Sequence, residues 1–228
     1  MIRLPYAGRE LTLFEKARRW KLYWRGHIAP FVRGSVLEVG AGIGANTRVL
    51  ADLPCRRWVC VEPDPALASQ VVLPSRHHEL IVGTIADLDA ARKFNAILYI
   101  DVIEHIADDR AELERAAALL APGGSIVVLA PAHAFLYTAF DRAVGHFRRY
   151  TAGALRAIAP AELRERKLLY LDACGTLALI GNRVLRVAHP TECQILTWDR
   201  CMVPCSRLVD PLLRHKAGKS VLGVWAAA

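Results

Sequence analysis

The chain has 228 residues, of which 54% are hydrophobic and 23% are charged, so it can bury one sizeable core and we expect a single domain, 1–228. The longest stretch without a formal charge, residues 116–140, is interrupted by prolines and glycines, which excludes a membrane-spanning helix there. The net charge of +8 is uneven, since residues 1–33 sum to +6, residues 34–141 to −6 and residues 142–228 to +8.

The N-terminal segment is basic and amphipathic. Residues 10–30 carry Leu13, Ala17, Trp20 and Trp24 at nearly helical spacing, with basic residues between them. This pattern predicts a helix that packs on the fold, and we treat residues 1–33 as an N-terminal helical cover. The first residues lack the apolar core of a signal peptide, and six scattered cysteines do not indicate a disulfide scaffold, so we expect a cytoplasmic protein.

Residues 35–50, SVLEVGAGIGANTRVL, have the pattern of a buried strand, a glycine turn and the start of a helix. Glycines allow a ligand to approach the backbone closely, and a helix start offers N–H donors with a partial positive charge. The pattern therefore predicts a site for a nucleotide-like cofactor.

Two cofactor classes are compatible with the spacing of this turn. Gly40, Gly42 and Ala45 also match the dinucleotide fingerprint, and Glu62 lies where that fingerprint has its ribose acid. Glu38 would repel a pyrophosphate, whereas it would attract a cofactor with an ammonium and a sulfonium group. We therefore favour S-adenosyl-L-methionine over NAD.

Strand-like runs then alternate with helical segments along the chain. The strands are predicted at residues 57–62, 79–83, 94–101 and 125–130, and helices at 66–72 and 108–120. This alternation predicts a Rossmann-like, doubly wound α/β fold with a mainly parallel sheet. Ligands of such sheets bind beyond the carboxyl ends of the strands.

The C-terminal third contains an unexpected insertion. Between a sixth strand near residues 167–172 and a closing strand, Ser220–Ala226, residues 174–218 form two amphipathic segments. Their leucines and valines lie beside four arginines, Arg183, Arg186, Arg207 and Arg214. Such segments could lie on a bilayer surface, roof a lipid-sized pocket, or pack as a plain helical cap.

Six motifs occur in order along the chain: LEVGAGIG, VCVEPDP, GTIADL, DVIEHI, LLAPGGSIVVLAPAH and GHFRRYT. Together they resemble the class I S-adenosylmethionine-dependent methyltransferases, in a bacterial methyltransferase type 11/12/23-like group whose substrate is unassigned. The resemblance covers nearly the whole chain. It implies an enzyme with a seven-stranded sheet and an antiparallel edge strand.

The resemblance also implies cofactor contacts. Glu38 and Gly40 would hold the methionine part, Glu62 the ribose hydroxyls, and Asp101 the methionine amine. Either Thr84 or Asp87 would accept a hydrogen bond from the adenine amine, with the Ile85 N–H bonding the ring. The full expected set is Glu38, Gly40, Ala41, Gly42, Glu62, Pro63, Thr84, Ile85, Asp101 and Val102.

Polar residues are concentrated after the fifth strand, in PAHAFLYTAFDRAVGHFRRYT. Methyl transfer is an in-line displacement, so an enzyme aligns the acceptor and, for oxygen or nitrogen, accepts a proton. The catalytic candidates are His105, His133, Tyr137 and His146, and the substrate-side candidates are Asp141, Arg148, Arg149 and Tyr150. The alternative is that both arginines pair with Asp141 and fasten this loop to the next helix.

The DVIEHI stretch also fits a second chemistry. Asp101, Glu104 and His105 could converge on a divalent cation, a spacing similar to that of some quinone-pathway O-methyltransferases. We favour the interpretation in which Glu104 fixes the loop and His105 lines the pocket, and we expect no metal.

We expect the acceptor to be a small or lipid-like molecule methylated on oxygen or nitrogen, less readily on carbon, with possible peripheral contact to the inner membrane. One alternative is an RNA-modifying enzyme, although aromatic and basic residues alternate only around Trp20 and Trp24, so no nucleic acid is expected. The other is a non-catalytic module that binds S-adenosylmethionine.

Overall fold

The computed structural model describes the backbone of residues 9–184 and 190–227 and the side chains of residues 10–181 and 190–227. Its strands are β1 (Gly34–Val39), β2 (Cys55–Glu62), β3 (His78–Val82), β4 (Phe94–Ile100), β5 (Leu120–Pro131), β6 (Arg164–Leu171) and β7 (Ser220–Ala226). Its helices are α1 (Arg9–Glu15), α2 (Arg18–Ile28), α3 (Ala45–Leu50), α4 (Pro65–Ala68), α5 (Asp109–Ala118), α6 (Ala139–Ala143), α7 (Ala152–Ile158), α8 (Ala173–Val184), α9 (Glu192–Thr197) and α10 (Val203–Leu212).

The strands form one sheet in the order β3-β2-β1-β4-β5-β7-β6. The pairs from β3 to β5 are parallel, and β7 runs antiparallel to both β5 and β6. The predicted doubly wound fold is confirmed. The antiparallel last strand lies one position in from the edge, and β6 forms the edge itself.

Both faces of the sheet are buried, because helices cover each of them. Val36, Leu98 and Val127 contribute to the core on one face, whereas their strand neighbours Leu37 and Ile97 contribute to the core on the other. Strands buried on two sides need apolar residues at successive positions, which explains why the alternation of polar and apolar residues is weak in this sequence.

The N-terminal cover is two helices instead of the single helix that the spacing predicts. The chain breaks after α1, and α2 begins behind Ala17, which has no side chain able to cap it. Asp199 supplies the missing acceptor from far along the chain. Its Oδ1 accepts from the Trp20 N–H at 2.9 Å, and its Oδ2 accepts from the Arg19 N–H at 3.2 Å.

The insertion between β6 and β7 is helical, as expected, and consists of α8, α9, a π-helical turn at Trp198–Met202 and α10. It is fastened to α2 and to the end of β6 by the buried Asp210. The Asp210 carboxylate accepts from the Tyr23 hydroxyl at 2.7 Å and from the Asp172 N–H at 2.7 Å. The predicted apolar stripe around Arg183 and Arg186 lies outside the described side chains.

None of the helices that the structure describes has the length and apolar character needed to cross a bilayer.

The long-range cap on α2 is testable. We expect Asp199→Ala to lower the free energy of unfolding by about 1–3 kcal/mol, because two N–H groups under the insertion lose their acceptor. Urea denaturation followed by circular dichroism measures this loss. The control is Asp52→Ala, which removes an exposed ion pair with Arg25 and should cost less than about 1 kcal/mol. Equal losses in the two variants would contradict the capping role.

Candidate active site

A cavity of about 540 Å³ opens at the carboxyl ends of β1, β4 and β5. Its floor is formed by the glycine turn after β1 and by the residues that follow β4. One wall is the loop after β5, and the roof combines α1, α2 and the insertion. Prominent lining residues are Leu11, Phe14, Trp20, Lys21, Gly40, Ala41, Gly42, Asp101, Glu104, His105, Phe140, Asp141, His146, Arg149, Leu179, Trp198 and Lys219.

The glycine turn presents its backbone to the cavity. Gly40, Gly42 and Gly44 have φ values of 66°, 56° and 75°, in the left-handed region that favours glycine. A Cβ atom at Gly40 would lie 2.7 Å from a methyl carbon of Val102. Val102 therefore supports the turn from behind, and the lack of side chains leaves a cradle for a ligand.

Glu62 fixes this turn from the end of β2. Its Oε2 accepts from the Gly42 N–H at 2.8 Å, and its Oε1 accepts from the Asp64 N–H at 3.0 Å. Burial raises the pKa of Glu62, while these two backbone hydrogen bonds oppose the shift. Each oxygen keeps a lone pair, but Glu62 is buried and is not among the residues that line the cavity, so its contact with ribose hydroxyls stays a prediction.

Glu38 lies beneath the turn and does not line the cavity. Its Oε2 accepts from the Thr47 hydroxyl at 2.8 Å and from the Trp58 indole N–H at 2.9 Å. Its Oε1 is buried and has no hydrogen-bond partner among the described residues. Glu38 therefore supports the glycine turn from below, instead of contacting the methionine part of the cofactor as predicted.

The residues expected around adenine lie at the end of β3, the next strand along the same edge. Asp87 Oδ2 accepts from the N–H and the hydroxyl of Thr84, at 2.7 and 2.9 Å, and so closes a short helical turn. Ile85 is buried in that turn, and Thr84 is exposed. The Thr84 hydroxyl also accepts from the Ala86 N–H at 3.3 Å, so both side chains serve the turn, and the contact of either one with the adenine amine stays a prediction.

Asp101 follows β4 with a φ of 55° and lines the cavity together with two lysines that sequence reasoning missed. Burial raises the pKa of Asp101, and the charges of Lys219 and Lys21 oppose that shift. Lys21 is buried, donates to the Phe14 carbonyl at 2.8 Å, and has a pKa lowered by burial to about 8. Its position on the apolar stripe with Ala17 and Trp24 was a signal that could have identified it.

The wall after β5 holds a buried Asp–His pair. Asp141 Oδ1 lies 2.9 Å from His146 Nδ1, and both Asp141 oxygens accept from the Arg149 guanidinium, at 2.8 and 2.9 Å. Burial alone would raise the pKa of Asp141, but the hydrogen bonds from His146 and Arg149 hold it well below its usual range. An ionised Asp141 can only accept, so His146 Nδ1 is the donor of this hydrogen bond.

Glu104 is the least satisfied group of the site. Both of its oxygens are buried and have no hydrogen-bond partner among the described residues. Burial, then the charge of Asp101, raises the pKa of Glu104 well above its usual range, which favours the neutral acid. His146 Nε2 lies 3.8 Å from Glu104 Oε1.

His105 completes a group of three possible metal ligands. Its ring centroid lies 4.6 Å from that of His146, and burial lowers the pKa of His105 to about 4, so the ring is neutral. One donor atom each from Glu104, His105 and His146 lies within 4.8 Å of the others. A divalent cation would find three donors here, and the expectation of catalysis without metal stays a prediction.

Four of the predicted catalytic and substrate-side residues do not line the cavity: His133, Tyr137, Arg148 and Tyr150. The His133 ring stacks on Tyr170 at 4.8 Å and 17°, and the Tyr137 hydroxyl donates to the His146 carbonyl at 2.7 Å. These contacts shape the loop, so neither residue is placed to act on a substrate.

Arg148 and Tyr150, which were predicted on the substrate side, also do not line the cavity. Arg148 Nη1 and the Tyr150 hydroxyl both donate to Asp109 Oδ2, at 2.6 and 2.7 Å. The loop is thus fastened to α5, whose first residue is Asp109. Pairing with Asp141, which was the alternative to a substrate-side role, is found for Arg149 alone of the two arginines.

Residues 12–162 match the family model of a methyltransferase domain. The chain belongs to this methyltransferase domain family. The predicted enzyme class is confirmed, S-adenosylmethionine is the cofactor, and the non-catalytic alternative is set aside.

Curated relatives of the methyltransferase match only part of it. It is 30% identical over 93 residues to a ubiquinone biosynthesis O-methyltransferase of Nitrobacter winogradskyi, and the match covers 39% of this chain and 35% of that protein. It is 33% identical over 100 residues to the enzyme of the same name in Azorhizobium caulinodans, covering 41% of this chain and 38% of that one. The chain therefore matches a little over a third of the length of these relatives.

Solved structures of methyltransferases share the whole fold. The N-methyltransferase NodS from Bradyrhizobium japonicum, in complex with S-adenosyl-L-homocysteine, has a TM-score of 0.60 and 17% identity, and covers 94% of this chain and 87% of NodS. Phosphoethanolamine N-methyltransferase 2 of Haemonchus contortus, in complex with S-adenosyl-L-methionine, has a TM-score of 0.67 and 13% identity, and covers 99% of this chain and 58% of that one. At these identities the likeness shows the fold alone.

The role of Glu62 is testable by calorimetry. We expect Glu62→Ala to weaken the binding of S-adenosylhomocysteine by roughly 1–3 kcal/mol, because charge-assisted hydrogen bonds to the ribose are lost and the glycine turn loosens. The control is Glu79→Ala, which removes a glutamate paired with Arg57 and Arg92 near the opposite ends of the strands. Unchanged affinity in Glu62→Ala would contradict the assignment.

Proposed function

We propose that this methyltransferase transfers a methyl group to a hydroxyl oxygen of a small, largely apolar acceptor that binds in the cavity under the insertion. The observation that carries the proposal is the pair formed by Asp141 and His146 at the cavity wall. A neutral hydroxyl is a poor nucleophile, and a histidine held by an ionised carboxylate is a suitable base for it. The curated relatives, which are O-methyltransferases by name, support the same choice of atom.

The cofactor supplies an electrophilic methyl group on a sulfonium sulfur. The Gly40–Gly42 turn and Glu62 would hold the nucleoside side, and Asp101 would receive the methionine ammonium. Lys21 lines the cavity from α2 and its charge acts on Asp101, and we assign it to the methionine carboxylate. This pairing of opposite charges orients the methionine end of the cofactor, whose ammonium and carboxylate cancel each other in charge.

His146 would take the acceptor proton on Nε2. Its Nδ1–H stays bonded to Asp141, which remains ionised and stabilises the imidazolium once it forms. Arg149 holds Asp141 in place from the other side, so the base has one orientation. The neutral His105 ring lies against His146 and bounds the same end of the cavity.

The roof indicates an apolar acceptor. Phe14, Leu179 and Trp198 line it, together with Leu11, Phe140 and Ile195. These side chains come from α1, α6, α8, α9 and the π-helical turn after α9, and they exclude water from the reacting atoms once the cavity is filled. We therefore expect a flat or flexible hydrocarbon body on the acceptor.

The outer surface of the insertion suggests how such an acceptor arrives. Leu208 and Leu212 on α10 are 74% and 82% exposed, and Leu177 on α8 is 67% exposed. On α8, Leu177 lies two residues from Leu179, which lines the cavity. We propose that this surface rests on an anionic bilayer, from which an apolar acceptor enters.

Vesicle co-sedimentation tests this surface. We expect the protein to bind vesicles rich in phosphatidylglycerol at low salt and to dissociate at high salt, since each basic residue near such a surface contributes about 1 kcal/mol. Replacing Leu208 and Leu212 by Ser should reduce binding. The matched control replaces Val72 and Val82, two exposed valines near β3, by Ser. A protein that ignores anionic vesicles at low salt contradicts the membrane proposal.

A methyl-transfer assay tests the base. Radiolabelled S-adenosylmethionine is incubated with the enzyme and an organic-solvent extract of cells that lack the gene, and label in the extract is counted. We expect His146→Asn to lower the transfer rate by about 10²–10⁴-fold while S-adenosylhomocysteine binds as before. His133→Asn, on the same loop but stacked on Tyr170, should keep its rate. Full activity in His146→Asn would contradict the proposal.

The same assay with a chelator addresses the metal expectation. We expect transfer to persist in EDTA. Loss of transfer that magnesium or zinc restores would instead assign Glu104, His105 and His146 to a divalent cation.

A further inference from the structure

Lys219 places a positive charge between two tryptophans inside the cavity. It directly precedes β7, and its side chain is only 16% exposed. Its Nζ lies 4.1 Å from the ring centroid of Trp198 and 4.9 Å from that of Trp20. The two indole rings are 5.9 Å apart and inclined at 54°, so the ammonium faces both of them. Contacts of this kind attract cations to the faces of aromatic rings.

The carboxylate of Asp172 is too far from the Lys219 ammonium for a hydrogen bond of ordinary length. Asp172 Oδ2 lies 3.7 Å from Lys219 Nζ, which exceeds ordinary hydrogen-bond lengths of about 2.7–3.2 Å. The short bonds of Asp172 go to neutral donors: Ser206 Oγ at 2.5 Å, Trp198 Nε1 at 2.7 Å and the Gly175 N–H at 3.0 Å. The ammonium therefore retains donors for a group in the cavity.

The other cations of the cavity wall have assigned partners. Arg149 binds Asp141 through two hydrogen bonds, and Lys21 is our choice for the methionine carboxylate. Asp101, whose charge lies near Lys219, is the expected partner of the methionine ammonium. Among the residues whose side chains the structure describes, Lys219 is thus the cation left to face the acceptor once the cofactor is bound.

An aromatic corner of this kind would suit the ammonium group of an amine acceptor. Here the chain fills the corner with its own ammonium, which lies between Asp172 and the two tryptophans. A second positive charge in the same apolar space would be repelled, whereas a negative oxygen would be attracted.

We propose that Lys219 is the specificity-determining residue for the acceptor, that it binds an anionic oxygen group such as a carboxylate or an ionised phenol, and that it excludes cationic amines. This inference rests on the proposed function, since it names the acceptor class for the same cavity. Trp20 and Trp198 would flank the apolar body that carries the anionic group.

Two probes of similar size and opposite charge test the inference. Isothermal titration calorimetry is carried out at neutral pH, in saturating S-adenosylhomocysteine, with 4-butylbenzoate and with 4-butylbenzylamine. We expect the unmodified enzyme to bind the benzoate at least about tenfold more tightly than the amine. Lys219→Met should remove this preference, and Lys219→Arg, which keeps the positive charge, should retain it.

The matched control is Lys216→Met, which removes an exposed lysine three residues earlier and should change neither probe's affinity. Binding of S-adenosylhomocysteine is measured first in every variant, and loss of that binding in the unmodified protein would contradict the proposed function itself. If the cofactor product binds but the unmodified enzyme shows equal affinity for the two probes, or measurable binding of neither, the role of Lys219 is overturned. A preference that survives in Lys219→Met overturns it as well, and if that variant fails to fold, the unmodified enzyme and Lys219→Arg still decide.

Discussion

Buried carboxylates need hydrogen-bond donors, and this requirement holds the insertion against α2 and the end of β6. Asp199 caps α2, Asp210 joins Tyr23 to the end of β6, and Asp172 gathers donors from the insertion. Each bond links segments that are far apart in sequence. The roof of the cavity, and with it the position of Lys219, depends on these three aspartates.

Two carboxylates of the cavity, Asp141 and Glu104, differ in their hydrogen bonds and in their ionisation. Asp141 has donors for both oxygens and stays ionised, whereas Glu104 has no hydrogen-bond partner among the described residues and is shifted toward the neutral acid. A folded protein seldom leaves a buried carboxylate unsatisfied unless the site uses it. The contrast between the two acids is one reason why we place the proposed chemistry at this end of the cavity.

The sheet and its cofactor edge could be predicted because their signals are local. Strand-length apolar runs ending in Gly40, Glu62 or Asp101 place these residues at one edge once the strands are parallel. The number of N-terminal helices could not be predicted from local patterns. The break before α2 is stabilised by Asp199, which lies 180 residues away from Arg19 in the sequence.

The loop after β5 shows where sequence reasoning stops. The sequence does not distinguish the roles of His133 and His146. Only the tertiary contacts, with Tyr170 for His133 and with Asp141 for His146, separate a stacked ring from a candidate base. Lys219 carried no local signal, because its tryptophan neighbours come from α2 and from the turn after α9. Such pairs are set by packing of the insertion, which no local pattern in this chain specifies.

The central claim is that the cofactor lies along the carboxyl edge with its sulfur directed at the His146 end of the cavity. A crystal structure of the enzyme with S-adenosylhomocysteine tests this most directly. We expect ribose hydroxyls on Glu62, the methionine ammonium at Asp101, the methionine carboxylate at Lys21, and the sulfur open toward His146. A nucleoside bound elsewhere, or a sulfur turned away from His146, would contradict it.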